Sequence, residues 1–163
     1  MKIRKALMRD VKHIHKLING FAAEQVMLPR SLNEIYENVR DFFVCEQEGG
    51  TEAGVDEAGA PLFGAGALHV LWEDLAEVKS LAVAKAHQKN GAGRALIERC
   101  LTEARELGIK RVFSLTYVPG FFQHMGFREA DKASLPHKIW GDCLHCPKFP
   151  DCDENAVIID IHG

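Results

Sequence analysis

The chain has 163 residues and a formal net charge of −3, with 47% hydrophobic and 26% charged residues. This suits one soluble globular domain with a sizeable core. No long basic run invites nucleic acid, and no apolar stretch approaches the roughly 20 residues of a membrane helix, so neither is expected as a partner. The basic start, Met1-Lys2-Ile3-Arg4-Lys5, is not followed by an apolar signal core, which points to the cytoplasm. In that reducing compartment disulfides are not expected. Cys45 and Cys100 lie among apolar residues and read as buried small hydrophobes.

Residues 2–8 have strand character. Asp10 then reads as the N-cap of a helix whose Ile14, Leu17, Ile18 and Phe21 fall at helical spacing. Residues 27–30 break that helix. Ser31 and Glu34 form a capping box, opening a second helix with Leu32, Ile35, Val39 and Phe42 as its buried stripe. Residues 43–46 read as a short strand. Residues 48–61, rich in Gly, Ala and acid, read as an exposed connection to a Gly-punctuated strand over 61–71 with a bulge. Residues 72–74 turn the chain into a strand over 75–83. A helix over 92–107 ends at Gly108, a natural residue just past a helix end. A strand over 111–116, a short helix over 119–125, a strand after Gly126-Phe127, an irregular stretch over 131–153 and a strand over 157–161 complete the chain. An antiparallel meander followed by a crossover helix implies an α/β (α+β) chain with a mixed sheet and helices on its faces. No linker or repeat divides it, so residues 1–163 read as one domain.

The chemistry lies in residues 77–94. A strand, Glu77-Val78-Lys79-Ser80-Leu81-Ala82-Val83, leads through His87-Gln88-Lys89-Asn90-Gly91-Ala92-Gly93 to Arg94 and a helix. Glycines let backbone N–H groups approach an anion closely. A helix N-terminus adds unpaired donors and a favourable dipole. The physical reading is a pyrophosphate site, with Lys89 and Arg94 adding charge; the plain alternative is a helix-initiating loop with no ligand. The spacing matches neither a P-loop nor Gly-x-Gly-x-x-Gly.

Gln88-x-x-Gly91-x-Gly93 after Leu81-Ala82-Val83 resembles the acetyl-CoA signature of the GNAT acetyltransferases. Asp10 and Gly126-Phe127 match the same pattern. The resemblance implies a mixed, mostly antiparallel sheet flanked by helices. It implies acetyl-CoA as cosubstrate, held by Leu81, Ala82, Val83, Gln88, Lys89, Asn90, Gly91, Ala92, Gly93 and Arg94. The N–H groups of the loop would take the pyrophosphate, and the main chain of Leu81 and Val83 the pantetheine arm. The blocks Met27-Leu28-Pro29-Arg30-Ser31, Trp72-Glu73-Asp74-Leu75-Ala76-Glu77 and Phe121-Phe122-Gln123-x-x-Gly126-Phe127 are similar to short, stand-alone N-acetylglutamate synthases. That implies L-glutamate as acceptor and the first step of arginine synthesis, without the arginine-feedback site of the longer synthases.

Acetyl transfer needs a neutral amine, a polarised thioester and a departing thiolate. By position in the family Glu77 is the candidate base. Strand alternation places Glu77, Lys79, Leu81 and Val83 on one face in steps of roughly 6.5–7 Å. The resemblance makes Arg30 a ligand of the acceptor's carboxylate, which a guanidinium fork suits, and offers Lys79 as a second cation. The plain alternatives are a solvated strand carboxylate, an Arg at a helix start and a surface Lys. Two departures stand out. Many GNAT enzymes place a thiolate-protonating tyrosine where this chain has Phe122, leaving Tyr117 or water as the candidate acid. Some glutamate synthases have an Arg where Tyr117 follows Thr116.

Cys143, Cys146 and Cys152 form a C-x₂-C-x₅-C cluster within an irregular Cys/His/Pro-rich flap, residues 131–156. With His137, His145 or His162 it could hold a structural zinc. The same spacing could supply three ligands of an iron–sulfur cluster. The plain alternative is three free thiols on a proline-stiffened flap. The leading expectation is a glutamate N-acetyltransferase. The alternatives are a GNAT enzyme for another small amine or amino acid, and an acyl-CoA-binding or metal-sensing module without turnover. The oligomeric state is left open, a homodimer among the options.

Overall fold

The computed structural model describes residues 1–24, 26–47, 62–131, 135 and 155–161. Their elements are β1 (Lys2–Lys5), α1 (Val11–Ala23), α2 (Leu32–Glu37), β2 (Phe42–Glu46), β3 (Leu62–Trp72), β4 (Leu75–Val83), α3 (Ala92–Leu107), β5 (Arg111–Thr116), α4 (Pro119–Gln123), β6 (Arg128–Ala130) and β7 (Asn155–Asp160). Among the described residues the sheet has seven strands in the order β1-β2-β3-β4-β5-β7-β6. The β4–β5 ladder is parallel, whereas β1–β2, β2–β3, β5–β7 and β6–β7 are antiparallel. This is the expected mixed, mostly antiparallel sheet. The expected connection at 48–61 lies outside the described residues.

The chain falls into two compact units, one of Met1–Leu68 with Ser80–Cys100, the other of His69–Lys79 with Leu101–Gly163. No linker separates them: the divisions fall inside β3, β4 and α3.

In the first unit Val11, Ile14 and Ile18 of α1 repeat at helical spacing. They bury against Ile35, Val39, Phe42, Val44, Ala65 and Ala67. Each large aliphatic side chain so buried stabilises by roughly 1.5–3 kcal/mol. Alternation along β2 and β3 leaves Phe43, Cys45, Gly64 and Gly66 to the opposite face, toward Leu96 of α3. A Cβ at Gly64 would stand 3.1 Å from the Cβ of Cys45 and 3.3 Å from a Leu96 methyl. Glycine here lets α3 approach the sheet. Burial pushes the Cys45 thiol up to about 11, so it is an inert hydrophobe.

The second unit buries Leu75, Phe113, Leu135, Ala156 and Ile158, with Leu71, Leu115 and Ala130 packed against them. The Asp74 carbonyl accepts from the N–H groups of Lys110 (3.2 Å) and Arg111 (3.0 Å), which fixes the start of β5.

Two expectations change. Asp10 does not cap α1 by a side-chain hydrogen bond. Its carboxylate turns back to accept from the Leu7 N–H at 2.7 Å and from the Arg4 guanidinium at 2.7 and 3.0 Å. A bidentate pair of two full charges outcompetes a single bond from a neutral backbone N–H. Leu32 is exposed rather than buried. It opens a helix of only six residues, and a 3₁₀ turn at Val39–Asp41 then resets the phase of the stripe. Ser31 does cap α2: the Glu34 N–H donates to Ser31 Oγ at 3.1 Å.

Candidate active site

The glycine loop lies in the first unit. β4 ends at Val83, and the Ala84 N–H donates to the Phe63 carbonyl at 2.8 Å. A 3₁₀ turn at Lys85–His87 follows, and His87 stacks on Phe63 with centroids 4.2 Å apart. Gln88 Nε2 donates to the Val83 carbonyl at 3.0 Å, tying the loop to the strand end. Lys89 and Gly91 both have left-handed backbone, with φ of 72° and 83°. A Cβ at Gly91 would meet nothing within 4 Å, so φ rather than space selects glycine there. Left-handed turns of this kind gather backbone N–H groups to one side of a loop.

α3 begins at Ala92, and its first helical bond runs from the Ala95 N–H to the Gly91 carbonyl at 3.0 Å. The N–H groups of Ala92, Gly93 and Arg94 therefore have no carbonyl four residues back within the helix. Arg94 is exposed and paired with Glu98 at 3.0 Å. An exposed i,i+4 pair holds by only about 0.3–0.5 kcal/mol, so Arg94 can turn to an arriving anion at little cost. Lys85 pairs with Glu24. These donors suit a pyrophosphate, and the cations add to their field.

Arg30 also lies in the first unit. Its side chain is mostly buried and meets Glu34 at 3.5 Å. The Asn19 amide brackets its backbone: the Arg30 N–H donates to Asn19 Oδ1 at 3.2 Å, and Asn19 Nδ2 donates to the Arg30 carbonyl at 2.8 Å. No motif marked Asn19; its place on α1, far in sequence from Arg30, hid the pairing.

Glu77, Lys79 and Tyr117 belong to the second unit and are partly buried. The β4–β5 ladder pairs Leu75 with Arg111, Ala76 with Val112 and Glu77 with Phe113. Ser114 Oγ, buried, donates to the Val78 carbonyl at 2.8 Å and holds β4 just beyond Glu77. Sequence reading missed Ser114, because a lone Ser in an apolar strand carries no signal. The Val118 N–H donates to Thr116 Oγ1 at 2.9 Å, closing β5 beside Tyr117.

Ser80 has φ 56°, left-handed backbone that a non-glycine residue rarely adopts. Extended alternation is therefore broken between Lys79 and Leu81. The period-two argument does not carry Glu77 and Lys79 onto one line with Leu81 and Val83. Phe122 is buried in an aromatic cluster, 5.1 Å from Phe127 and 5.7 Å from Phe121 between centroids, with the rings edge to face. A hydroxyl is absent from that position, and apolar packing fills it.

Cys143, Cys146 and Cys152, with His137, His145 and His162, lie outside the described residues. Among the described residues no group of three or more His, Cys, Asp or Glu is arranged to hold a metal. No helix among them is long and apolar enough to cross a membrane.

Residues 9–127 match the acetyltransferase (GNAT) family, and the chain belongs to that family. It is an acetyl-CoA-dependent N-acetyltransferase close to amino-acid acetyltransferases, which sets aside the reading of a module without turnover. An uncharacterized N-acetyltransferase of Chlorobaculum tepidum is 38% identical over 156 residues, 96% of this chain and 94% of the relative. An amino-acid acetyltransferase of Mycobacterium tuberculosis is 34% identical over 140 residues, 86% of this chain and 75% of the relative. Among solved structures, the chain is similar to the N-acetylglutamate synthase of Neisseria gonorrhoeae complexed with coenzyme A and N-acetyl-glutamate. The TM-score is 0.84 at 26% identity, over 99% of this chain and 35% of that one. A Mycobacterium tuberculosis protein complexed with CoA gives a TM-score of 0.79 at 29% identity, over 99% of this chain and 100% of that one.

Proposed function

We propose that the chain transfers acetyl from acetyl-CoA to the α-amine of L-glutamate. The observation that carries this reading is the likeness, over 99% of this chain, to the gonococcal synthase complexed with coenzyme A and N-acetyl-glutamate. The roles follow from the chemistry of each residue. The N–H groups of residues 88–94 bind the pyrophosphate, and the main chain of Leu81, Ala82 and Val83 aligns the pantetheine arm. Arg30 receives an acceptor carboxylate bidentately, and Lys79 supplies a second positive charge. Glu77 takes the ammonium proton, directly or through water. The neutral amine then attacks the thioester carbonyl, the C–S bond breaks, and the thiolate leaves. Tyr117 gives a proton to that sulfur and recovers one, directly or through water, from the nitrogen of the collapsing tetrahedral intermediate, which leaves the neutral amide and the thiol.

The test follows CoA release with a panel of amino acids. L-Glutamate is expected to be the preferred acceptor. Arg30→Ala should raise KM for glutamate by about 10- to 100-fold, the worth of a lost charge-assisted hydrogen bond. Turnover with another amine and none with glutamate overturns the assignment. Cys143, Cys146 and Cys152 are proposed as ligands of a structural zinc. Metal analysis of the purified protein should then find about one zinc per chain, diminished in Cys146→Ser. A metal-free, fully active protein overturns that assignment.

A further inference from the structure

We infer that Asn19 is a positioning residue for acceptor recognition, acting through the backbone of Arg30. The inference rests on the reading of Arg30 as the carboxylate ligand. Asn19 sits near the C-terminal end of α1, and all its amide groups are engaged. Nδ2 donates to the His15 carbonyl at 2.8 Å, one turn back in the same helix, and to the Arg30 carbonyl at 2.8 Å. Oδ1 accepts from the Arg30 N–H at 3.2 Å.

The bond to His15 fixes the side chain on its own helix. The other two reproduce the two-bond exchange of a hydrogen-bonded residue pair in an antiparallel ladder, with a side-chain amide as one partner. Arg30 lies in the segment between α1 and α2, outside either helix. Asn19 therefore supplies that segment with a ladder pair and ties Arg30 to the helix.

The requirement on this position is narrow. Two donors and one acceptor must leave a side chain of this length. Aspartate keeps the acceptor and loses both donors, and leucine keeps the shape and loses all three. Glutamine keeps the groups but sets them one methylene further out. A guanidinium recognises a carboxylate by a planar fork, so a small rotation of the Arg30 backbone costs the second bond of the fork before the first. The loss should appear in acceptor binding rather than in acetyl-CoA binding.

The experiment measures KM for L-glutamate, KM for acetyl-CoA and kcat in Asn19→Leu, Asn19→Asp, Arg30→Ala and Asn19→Leu with Arg30→Ala, with melting curves for each. Expected is a rise in glutamate KM of about tenfold in both Asn19 variants, with acetyl-CoA KM unchanged. On the Arg30→Ala background, Asn19→Leu should add less than about twofold, as for residues acting through one contact. If Asn19→Leu does not fold, Asn19→Asp carries the test. An unchanged glutamate KM in a folded Asn19 variant overturns the inference while Arg30→Ala still raises it, and so does an equal loss on both backgrounds. An unchanged glutamate KM in Arg30→Ala overturns the role of Arg30, and the inference with it.

Discussion

Arg4→Leu is expected to destabilise the protein by about 3–5 kcal/mol, the usual result of leaving a buried charge without its partner. Asp10 is 5% exposed. Burial alone would raise its carboxyl, but the hydrogen bonds from Arg4 and from the Leu7 N–H outweigh burial and hold it below the usual range. The Arg4 guanidinium is itself raised, first by its hydrogen bond to Asp10 and also by Glu46. Because the Asp10 carboxyl is depressed in the fold, its contribution is complete above the unfolded value of about 3.9 and falls away below it. In Arg4→Leu the burial of Asp10 is no longer offset. The difference in unfolding free energy between the two proteins should therefore be largest near neutral pH, begin to shrink as pH falls through the raised Asp10 value of the variant, and go on shrinking toward the depressed value of the native fold. Urea unfolding at pH 7 and at low pH checks both parts. A loss under about 1 kcal/mol at pH 7 would show that water replaces Arg4.

Loss of the Arg4–Asp10 pair reaches Arg30 through α1. The Arg4–Asp10 pair and the Leu7 bond fix the turn from which α1 starts, and α1 carries Asn19 to Arg30. The pair was not legible in the sequence. Asp10 before an apolar-periodic segment reads as an N-cap, because local rules see only the helix it precedes. The competing partner, Arg4, arrives from a strand six residues earlier. The meander, the crossover helix and the end of α3 at Gly108 were legible, because each depends on local spacing and on a residue whose backbone preference is strong. Gly108 has φ 82°. The left-handed Ser80 was not legible, since no propensity favours serine there. Its backbone is set by what the strand does around it. The glycine loop was legible for the same reason that it works: Gly91 is needed for its φ, and that need shows in the sequence.

Glu77→Gln is expected to lower the acetylation rate at neutral pH by about 10²–10⁴-fold, the range for loss of a positioned general base. The support is geometric. Glu77 lies on a backbone held against β5, by the ladder pair with Phe113 and by the Ser114 hydrogen bond to the adjacent Val78 carbonyl. A base held on a strand loses little entropy on meeting the ammonium group, whereas a base on a loop would have to be ordered first. Glutamine keeps the shape and the hydrogen-bonding capacity but cannot accept the proton. The acceptor amine must then lose its proton to solvent before it binds, and that loss grows easier as pH rises. The rate of Glu77→Gln should therefore climb with pH through the alkaline range, while the native enzyme levels off. Phe122 adds a condition on the other proton. With an apolar ring in that position, Tyr117→Phe should slow the reaction by less than Glu77→Gln does, because water can protonate a thiolate more readily than it can deprotonate an ammonium at neutral pH. The paired pH–rate profiles decide the matter: a Glu77→Gln profile of the same shape as the native one would remove Glu77 from the proton transfer.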